Sequence, residues 1–211
     1  MRQRLLIGSN NEKKIAELEA LTSTLNIDTI SPSNCPQNLP EVEEDGDSFL
    51  ENAIKKAIAF SKFAESNLEG NVWALADDSG LCVDALNGEP GIHSARYASV
   101  LGANRDQENN KKLLEQLSDI PSEQRTASFW CIIAIAYRGE VILAVEGNVE
   151  GRILEKARGE YGFGYDPIFY HVESQKSFAE MSSQCKEKIS HRGRAIEKLK
   201  YALTDLLPGH A

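Results

Sequence analysis

Two neighbouring carboxylates, Asp77 and Asp78, are the residues of this sequence whose type and position most clearly suggest chemistry. They follow an apolar run at residues 72–76 that predicts a strand, so we expect them at the strand's end, where ligand crevices open in α/β sheets. Neighbouring side chains on an extended chain diverge, so one can be held structurally while the other binds Mg²⁺ or takes a proton from water. The alternative is a turn in which these side chains accept backbone hydrogen bonds, and the pattern alone leaves both open.

A second source of carboxylate ligands is the acidic loop, residues 43–47 (Glu-Glu-Asp-Gly-Asp), in which Glu43 and Glu44 are adjacent. Lys55 and Lys56 follow on a predicted helix, and one of them can point toward the carboxylates and contact phosphate while the other is exposed. A solvated acidic loop and two surface lysines are the alternative interpretation. The acidic loop and the two lysines therefore indicate a metal and phosphate site only if another group of candidate residues lies beside them.

The segment at residues 8–14 (Gly-Ser-Asn-Asn-Glu-Lys-Lys) lies where a predicted strand ends and a predicted helix begins. Backbone N–H groups at a helix start, with small polar side chains and a lysine one turn later, form a natural phosphate-binding arrangement. The alternative is an ordinary helix N-cap followed by solvated lysines.

Two further segments suit the recognition of a purine base. Residues 162–167 (Gly-Phe-Gly-Tyr-Asp-Pro) place two aromatic side chains and a carboxylate among glycines, so an aromatic face can stack on a base whose edge the carboxylate reads. Residues 190–194 (Ser-His-Arg-Gly-Arg) begin the last predicted helix and cluster donors that suit a base carbonyl or a phosphate. The alternatives are aromatic side chains that fill the core, and a capping serine beside surface bases.

The elements that must position these side chains alternate between strand and helix. Strands are predicted at residues 4–8, 72–76, 126–137, 140–149 and 168–170, and helices at about 12–24, 52–63, 107–117 and 191–206. Ser48 and Glu51 have the spacing of a helix capping box, and Arg138 and Gly139 separate the strands of an antiparallel hairpin. We expect an α/β protein with a mixed central β-sheet and flanking helices, forming a single domain over residues 1–211.

Charge and cysteine content argue against several classes of protein. The net charge of −9 disfavours an extended nucleic-acid surface, because duplex binding needs many basic residues against phosphates. The four cysteines are scattered without a Cys-x-x-Cys pair, which favours reduced thiols over disulfides or a zinc site. No apolar stretch reaches the roughly 18 residues that a membrane helix needs, so we expect a cytoplasmic protein with no membrane partner.

Taken together, these segments resemble the non-canonical purine nucleoside triphosphate pyrophosphatase family, also called the inosine triphosphatase family. The motifs are short, but they are colinear over almost the whole chain and their order and spacing are specific. They are Ser-x-Asn-x-x-Lys at residues 9–14, Phe-x-Glu-Asn-Ala at 49–53, Ala-Asp-Asp-Ser-Gly-Leu at 76–81, Pro-Gly-Ile-x-Ser-Ala-Arg-Tyr at 90–97, Gly-Phe-Gly-Tyr-Asp-Pro-Ile-Phe at 162–169 and Ile-Ser-His-Arg-Gly-x-Ala at 189–195.

The resemblance implies a Mg²⁺-dependent hydrolase that converts (d)ITP and XTP to the monophosphate and pyrophosphate, keeping deaminated purines out of nucleic acid. It also implies a homodimer whose subunits have two lobes around a nucleotide cleft. By position, it makes Asp78 the proton acceptor and makes Glu43, Glu44 and Asp78 the metal ligands. The residues that it assigns to the substrate are Ser9, Asn10, Asn11, Glu12, Lys13, Lys14 and Lys56 for the triphosphate, and Ser79, Phe163, Gly164, Tyr165, Asp166, Lys186, His191 and Arg192 for the base.

The sequence departs from the family's pattern at Ser9, where the family usually has threonine, although the hydroxyl is kept. Because Asn10 and Asn11 are adjacent, the assignment of Asn11 depends on spacing alone. Three other hypotheses stay open: a pyrophosphatase for another altered base, a non-catalytic nucleotide sensor or RNA-binding sheet, and a phosphatase that releases orthophosphate.

Overall fold

The structure, a computed structural model, describes residues 2–23 and 27–206. Its helices are α1 (Glu12–Thr22), α2 (Phe49–Asn67), α3 (Arg105–Gln116), α4 (Ser183–Ile189) and α5 (His191–Leu206). Its strands are β1 (Arg4–Gly8), β2 (Asp28–Ile30), β3 (Val72–Val83), β4 (Thr126–Tyr137), β5 (Glu140–Ile153), β6 (Phe169–His171) and β7 (Lys176–Ser177). No helix within these ranges is both long and apolar enough to cross a membrane.

The strands of the described ranges form a seven-stranded sheet in the order β2-β1-β3-β4-β5-β6-β7. β1 runs parallel to β2 and β3, whereas β6 runs antiparallel to β5 and β7. Arg138 and Gly139 join β4 to β5 with φ angles of 51° and 81°, which is the backbone pattern of a tight type I′ hairpin turn. The predicted mixed sheet, its flanking helices and its hairpin are therefore confirmed.

The chain divides into two compact units. The first contains Met1–Asp78, Cys131–Gly147 and Arg192–Ala211, and the second contains Ser79–Trp130 and Asn148–His191. β3, β4 and β5 each contribute residues to both units. The single functional domain predicted over the whole chain stays a prediction.

The first unit has an apolar core on each face of its strands, because side chains alternate along a strand. In β1, Leu5 and Ile7 belong to one core and Leu6 belongs to the other. Helices α1 and α5 complete the first of these cores, and α2 completes the second. A buried side chain on β1, on the first part of β3 or on the part of β4 in this unit therefore faces either α1 and α5 or α2.

The second unit is built around aromatic side chains. The ring centroid of Phe169 lies 4.6 Å from that of Phe129 and 4.9 Å from that of Phe178, with tilted ring planes that suit aromatic quadrupoles. Leu113 of α3 and Tyr165 are buried in the same cluster. This core supports the loops that carry the predicted base-binding residues.

The largest departure from the sequence-based expectation concerns β3, which continues to Val83. The prediction that the strand ends before Asp77 is wrong, and so is the alternative of a turn at residues 77–80. Aspartate, serine and glycine are disfavoured in strands, but pairing in the sheet overrides that local preference. The elements α4, β2 and β7 are not predicted, and the predicted end of α1 at Thr24 lies outside the described residues.

The predicted cap of α2 is present in a modified form. Ser48 Oγ accepts a hydrogen bond from Glu51 N at 3.2 Å, as in a capping box. The Glu51 carboxylate, however, accepts from Asp47 N at 2.8 Å rather than from Ser48. The start of α2 is thus fastened to the end of the acidic loop.

Candidate active site

The pleat of β3 separates Asp77 from Asp78. Leu75 belongs to the core that contains α1 and α5, whereas Ala74 and Ala76 belong to the core that contains α2. Alternation therefore turns Asp77 toward α1 and α5 and turns Asp78 toward α2. Both carboxylates are buried, and each meets a different set of partners.

Asp77 is held in a buried cluster of ion pairs. Its Oδ2 atom lies 3.2 Å from Lys14 Nζ and accepts from Arg192 Nη2 at 3.1 Å, and Arg192 also pairs with Glu17. Burial by itself raises the pKa of a carboxyl, but the charges of Lys14 and Arg192 hold the pKa of Asp77 well below its usual range. Asp77 therefore stays ionised, and its ion pairs connect α1 and α5 to β3.

Asp78 lies among Lys56, Glu44 and Asn52. Lys56 Nζ donates to Asp78 Oδ1 at 2.8 Å and to Glu44 Oε1 at 2.7 Å, and Asn52 Nδ2 donates to Asp78 Oδ2 at 3.4 Å. Burial raises the pKa of the Asp78 carboxyl, and the Lys56 ammonium offsets only part of that effect. Asp78 therefore binds a proton more readily than Asp77, which is what a general base requires.

Lys55 and Lys56 lie on different sides of helix α2. Lys56 is buried beside Asp78, whereas Lys55 is solvent-exposed and pairs with exposed Asp45 at 2.6 Å. Burial by itself lowers the pKa of Lys56, but the neighbouring carboxylates, led by Asp78, raise it above its ordinary value. Lys56, rather than Lys55, is therefore the lysine whose ammonium contacts the carboxylates of Asp78 and Glu44.

Glu44 and Asp78 offer carboxylate oxygens, the hard ligands that Mg²⁺ prefers. They share the ammonium of Lys56, whereas Glu43 is exposed on the acidic loop. Within residues 2–23 and 27–206, no three His, Cys, Asp or Glu side chains converge as a metal site. Because Mg²⁺ is commonly held by one or two carboxylates together with waters and substrate phosphates, this donor set fits an ion that also contacts a bound triphosphate.

The segment between β1 and α1 is organised by a helix cap. Asn11 Oδ1 accepts from the backbone N–H groups of Lys13 and Lys14 at 3.1 and 3.4 Å, and Ser9 Oγ accepts from Asn11 N at 3.2 Å. The N-cap that the sequence left as the alternative is therefore present, and the phosphate-binding role of this segment stays a prediction. Ser9 is buried, and the exposed side chains are those of Asn10, Glu12 and Lys13.

The second unit contains the aromatic loop, residues 162–166, which Asp166 organises. Asp166 Oδ2 accepts from Phe163 N at 2.8 Å and from Lys186 Nζ at 2.7 Å, and Lys186 Nζ lies 4.9 Å from the centroid of the Phe163 ring. Gly162 has a φ of 76°, and a Cβ atom there would overlap the Asp166 carboxylate. The loop thus holds a half-buried phenyl ring beside a buried ammonium group.

Helix α3 fixes the middle of the aromatic loop. Asp106 Oδ2 accepts from Gly164 N at 2.9 Å, and Asn110 Nδ2 donates to Gly164 O at 3.0 Å. Tyr165 is buried, and its hydroxyl donates to Ser94 O at 2.9 Å. Tyr165 therefore fills the core, and Phe163 is the aromatic residue of this loop with an accessible ring.

His191 and Arg192 are adjacent in sequence but belong to different units and have different partners. The His191 ring stacks on Phe129 with centroids 4.7 Å apart and an interplanar angle of 13°. The Arg192 guanidinium is buried and bound to the carboxylates of Asp77 and Glu17. Ser79, which follows Asp78 on β3, is half-buried in the second unit. The base-binding role of Arg192 stays a prediction, and its contacts with Asp77 and Glu17 account for its burial.

Sequence reasoning missed the residues that hold these side chains, among which Asn52 is the most directly placed. Asn52 and Lys56 are four residues apart, so they share one side of α2, and buried Ala53 and Ala57 flank them. A polar residue within the apolar stripe of an amphipathic helix is the signal that points to Asn52. The residues that no local pattern singles out are Glu17, Asp106 and Asn110.

Comparisons with known proteins match almost the whole chain. The model of the Ham1 family covers residues 5–202. The dITP/XTP pyrophosphatase of Clostridium perfringens is 46% identical over 206 residues (97% of this chain and 99% of that protein), and the one of Leuconostoc mesenteroides is 47% identical over 208 residues (98% and 99%). The solved structure of a HAM1 protein from Coxiella burnetii has a TM-score of 0.82 and 40% identity over 96% of this chain and 99% of its own. These matches agree with the family that the motifs indicate.

Proposed function

The chain belongs to the Ham1 family, and from this premise we propose that it hydrolyses (d)ITP and XTP to the monophosphate and pyrophosphate. Relatives that align over nearly their full length are named dITP/XTP pyrophosphatases. The observation that carries the proposal is the contact of one buried ammonium, Lys56 Nζ, with both Asp78 and Glu44. A carboxylate that can take a proton, an ammonium for phosphate and a second carboxylate for metal are the groups that this hydrolysis needs.

The reaction that we propose is a direct attack of water on the α-phosphorus. Asp78 accepts a proton from the water while the new P–O bond forms, and the bond from the α-phosphorus to the bridging oxygen breaks to release pyrophosphate. Lys56 keeps Asp78 Oδ1 in place and offsets negative charge on the phosphate oxygens. No covalent intermediate is formed, because water is the nucleophile.

The carboxylates of Glu44 and Asp78, with Glu43 beside them, would hold Mg²⁺. When bound, the ion supplies charge neutralisation and orientation of the triphosphate. The support for this assignment is the chemistry of the donor set, which consists of oxygen ligands beside a basic residue. Asp77 is not included, because Lys14 and Arg192 already engage its carboxylate.

The base is assigned to the second unit, where Phe163 offers a ring face and the ammonium of Lys186 is a donor. Hypoxanthine and xanthine carry a 6-oxo group that accepts such donors, whereas adenine carries an amino group that does not. A site that is built to hydrogen-bond one edge rejects the analogue that lacks it. Discrimination against ATP follows from this chemistry.

Replacing Lys186 with alanine is expected to raise KM for ITP by about 10- to 100-fold, the equivalent of a lost hydrogen bond to a charged group. The kcat value should change much less, because the proposed reacting groups are those of the first unit. Steady-state kinetics of pyrophosphate release measure both values. Lys188→Ala is the matched control on the exposed side of α4 and should retain the KM of the wild type. An unaltered KM in Lys186→Ala would remove this residue from base recognition.

The proposed function is tested by a substrate panel of ITP, XTP, GTP, ATP, dUTP and dTTP, with and without Mg²⁺. Pyrophosphate release should be fastest for ITP and XTP and should require the ion. If ATP were as good a substrate as ITP and XTP, the role given to the 6-oxo group would be wrong, and if GTP were, the preference for deaminated purines would be wrong. If activity persisted in full after removal of divalent metal, the metal assignment would be wrong.

We further propose that the protein is a homodimer in the cytoplasm, where it removes deaminated purine triphosphates before they enter nucleic acid. This proposal is supported by the resemblance to the inosine triphosphatase family. It requires no nucleic-acid or membrane partner. Sedimentation at micromolar concentration tests the assembly, and a mass of one chain of 23.3 kDa would contradict it.

A further inference from the structure

Asn52 is a fully buried amide on a helix face whose buried residues also include Ala53, Ala57 and Phe60. A buried amide is costly unless its polar atoms are hydrogen-bonded, so its partners indicate why it is there. Asn52 Oδ1 accepts from Gly46 N at 2.9 Å, and Asn52 Nδ2 donates to Asp78 Oδ2 at 3.4 Å. Because Gly46 N–H can only donate, the amide oxygen must face the acidic loop and the amide nitrogen must face Asp78.

The contacts of Asn52 run beside those of Lys56, four residues later on α2. Lys56 Nζ holds Asp78 Oδ1 and Asn52 Nδ2 holds Asp78 Oδ2, so both oxygens of the carboxylate are fixed. Each of these two side chains also reaches the acidic loop, Lys56 at Glu44 and Asn52 at Gly46. Two neighbouring side chains of one helix therefore link the loop to Asp78.

Gly46 leaves space for this link. A Cβ atom at Gly46 would lie 2.7 Å from Asn52 Oδ1 and 2.9 Å from Glu51 Cβ, distances that side-chain carbons do not adopt. The backbone of the acidic loop thus approaches the amide as closely as only glycine permits. A substitution at Gly46 can therefore disturb the hydrogen bond to Asn52 Oδ1 while Asn52 itself is unchanged.

We propose that Asn52 is a positioning residue with two separable tasks: its nitrogen orients the carboxylate of Asp78, and its oxygen sets the backbone of the loop that carries Glu44. The inference rests on the proposed roles of Asp78 and Glu44 and extends them to a residue that contacts neither water nor phosphate in the proposed reaction. The task of the oxygen is read from the Gly46 N–H group and from the requirement for Mg²⁺, because Glu44 lies on the same loop. The task of the nitrogen is read from kcat, because Asp78 is the proposed proton acceptor as well as a proposed metal ligand.

Two substitutions separate the tasks. Asn52→Asp keeps an oxygen for Gly46 N–H but removes the amide donor to Asp78, so kcat for ITP should fall about 10- to 100-fold. Gly46→Ala displaces the loop and keeps the amide, so the half-saturating Mg²⁺ concentration should rise about tenfold with a smaller loss of kcat. Asn67→Asp, at the other end of α2, is the matched control and should behave as the wild type.

A measurement that does not need substrate tests the loop task directly. Exchange of the Gly46 amide proton, followed by ¹⁵N NMR, should be slow in the wild type and in Asn52→Asp and fast in Asn52→Leu, which fills the space without an acceptor. Equal exchange in all three proteins, or kcat and Mg²⁺ requirement within twofold of the wild type in both single variants, would overturn the proposal. Absence of ITP hydrolysis by the wild-type protein would refute the proposed function instead, and the exchange result would still decide the role of the Asn52 oxygen.

Discussion

Replacing Asp78 with asparagine is expected to lower kcat for ITP by about 100- to 10,000-fold, the range that a positioned general base contributes. Asparagine keeps the shape of the side chain but cannot accept the proton of the attacking water. Lys56 keeps its partner Glu44, so the local structure should persist and ITP should still bind. Steady-state kinetics give kcat, and calorimetric titration with ITP gives the binding affinity.

The control for this prediction is the same substitution at Asp45 in the acidic loop. Asp45 is exposed and pairs with exposed Lys55, and it takes no part in the proposed reaction. Asp45→Asn should therefore have the kcat of the wild type. A kcat near that of the wild type in Asp78→Asn would exclude this carboxylate as the proton acceptor.

Replacing Asp77 with asparagine is expected to act on stability, with a loss of about 3–5 kcal/mol in the free energy of unfolding. The substitution removes a charge from a buried cluster and leaves Arg192 with Glu17 as its described carboxylate partner. Breaking a buried ion pair on one side is costly because the remaining charge stays desolvated. Urea denaturation followed by circular dichroism measures the change.

The Asp45→Asn variant again serves as the control and should unfold at the urea concentration of the wild type. If Asp77→Asn were as stable as the wild type, the structural role that we give to Asp77 would be wrong. The three aspartate variants should therefore differ: Asp78→Asn lowers kcat, Asp77→Asn lowers stability, and Asp45→Asn changes neither. Asp77 and Asp78 are adjacent and have identical side chains, but we expect their substitution to affect different properties.

The opposite orientation of Asp77 and Asp78 could be predicted from sequence, because it is a property of neighbouring side chains on any extended chain. The extent of β3 could not. Local preferences of Asp77, Asp78 and Gly80 favour a turn, whereas in the fold they continue β3 beside β4, beyond the last residue that pairs with β1, Ala76. The predicted divergence of the two side chains is therefore present, although β3 extends beyond its predicted end, and the catalytic role of Asp78 stays a prediction.

The partners of the site residues depend on contacts between distant parts of the chain, which periodicity does not specify. Lys186 and Asp166 are 20 residues apart, and Arg192 and Asp77 are 115 residues apart. Motif order identified the first three of these residues as functional candidates and Asp77 as a supporting residue. It assigned Arg192 to the base, and the fold binds its guanidinium to the carboxylates of Asp77 and Glu17.

The capping role of Asn11 illustrates a related limit of sequence reasoning. A helix cap and a phosphate-binding helix start use the same residue types, so spacing cannot distinguish them. The fold contains the cap, with Asn11 Oδ1 bound to two backbone N–H groups. The phosphate-binding role of this segment stays a prediction.

The central claim, that water attacks the α-phosphorus of a purine nucleoside triphosphate, is tested most directly by hydrolysis of ITP in H₂¹⁸O with Mg²⁺, followed by mass spectrometry of the products. The account predicts one ¹⁸O atom in the phosphate of IMP and unlabelled pyrophosphate. Label in pyrophosphate, or release of orthophosphate in its place, would contradict it.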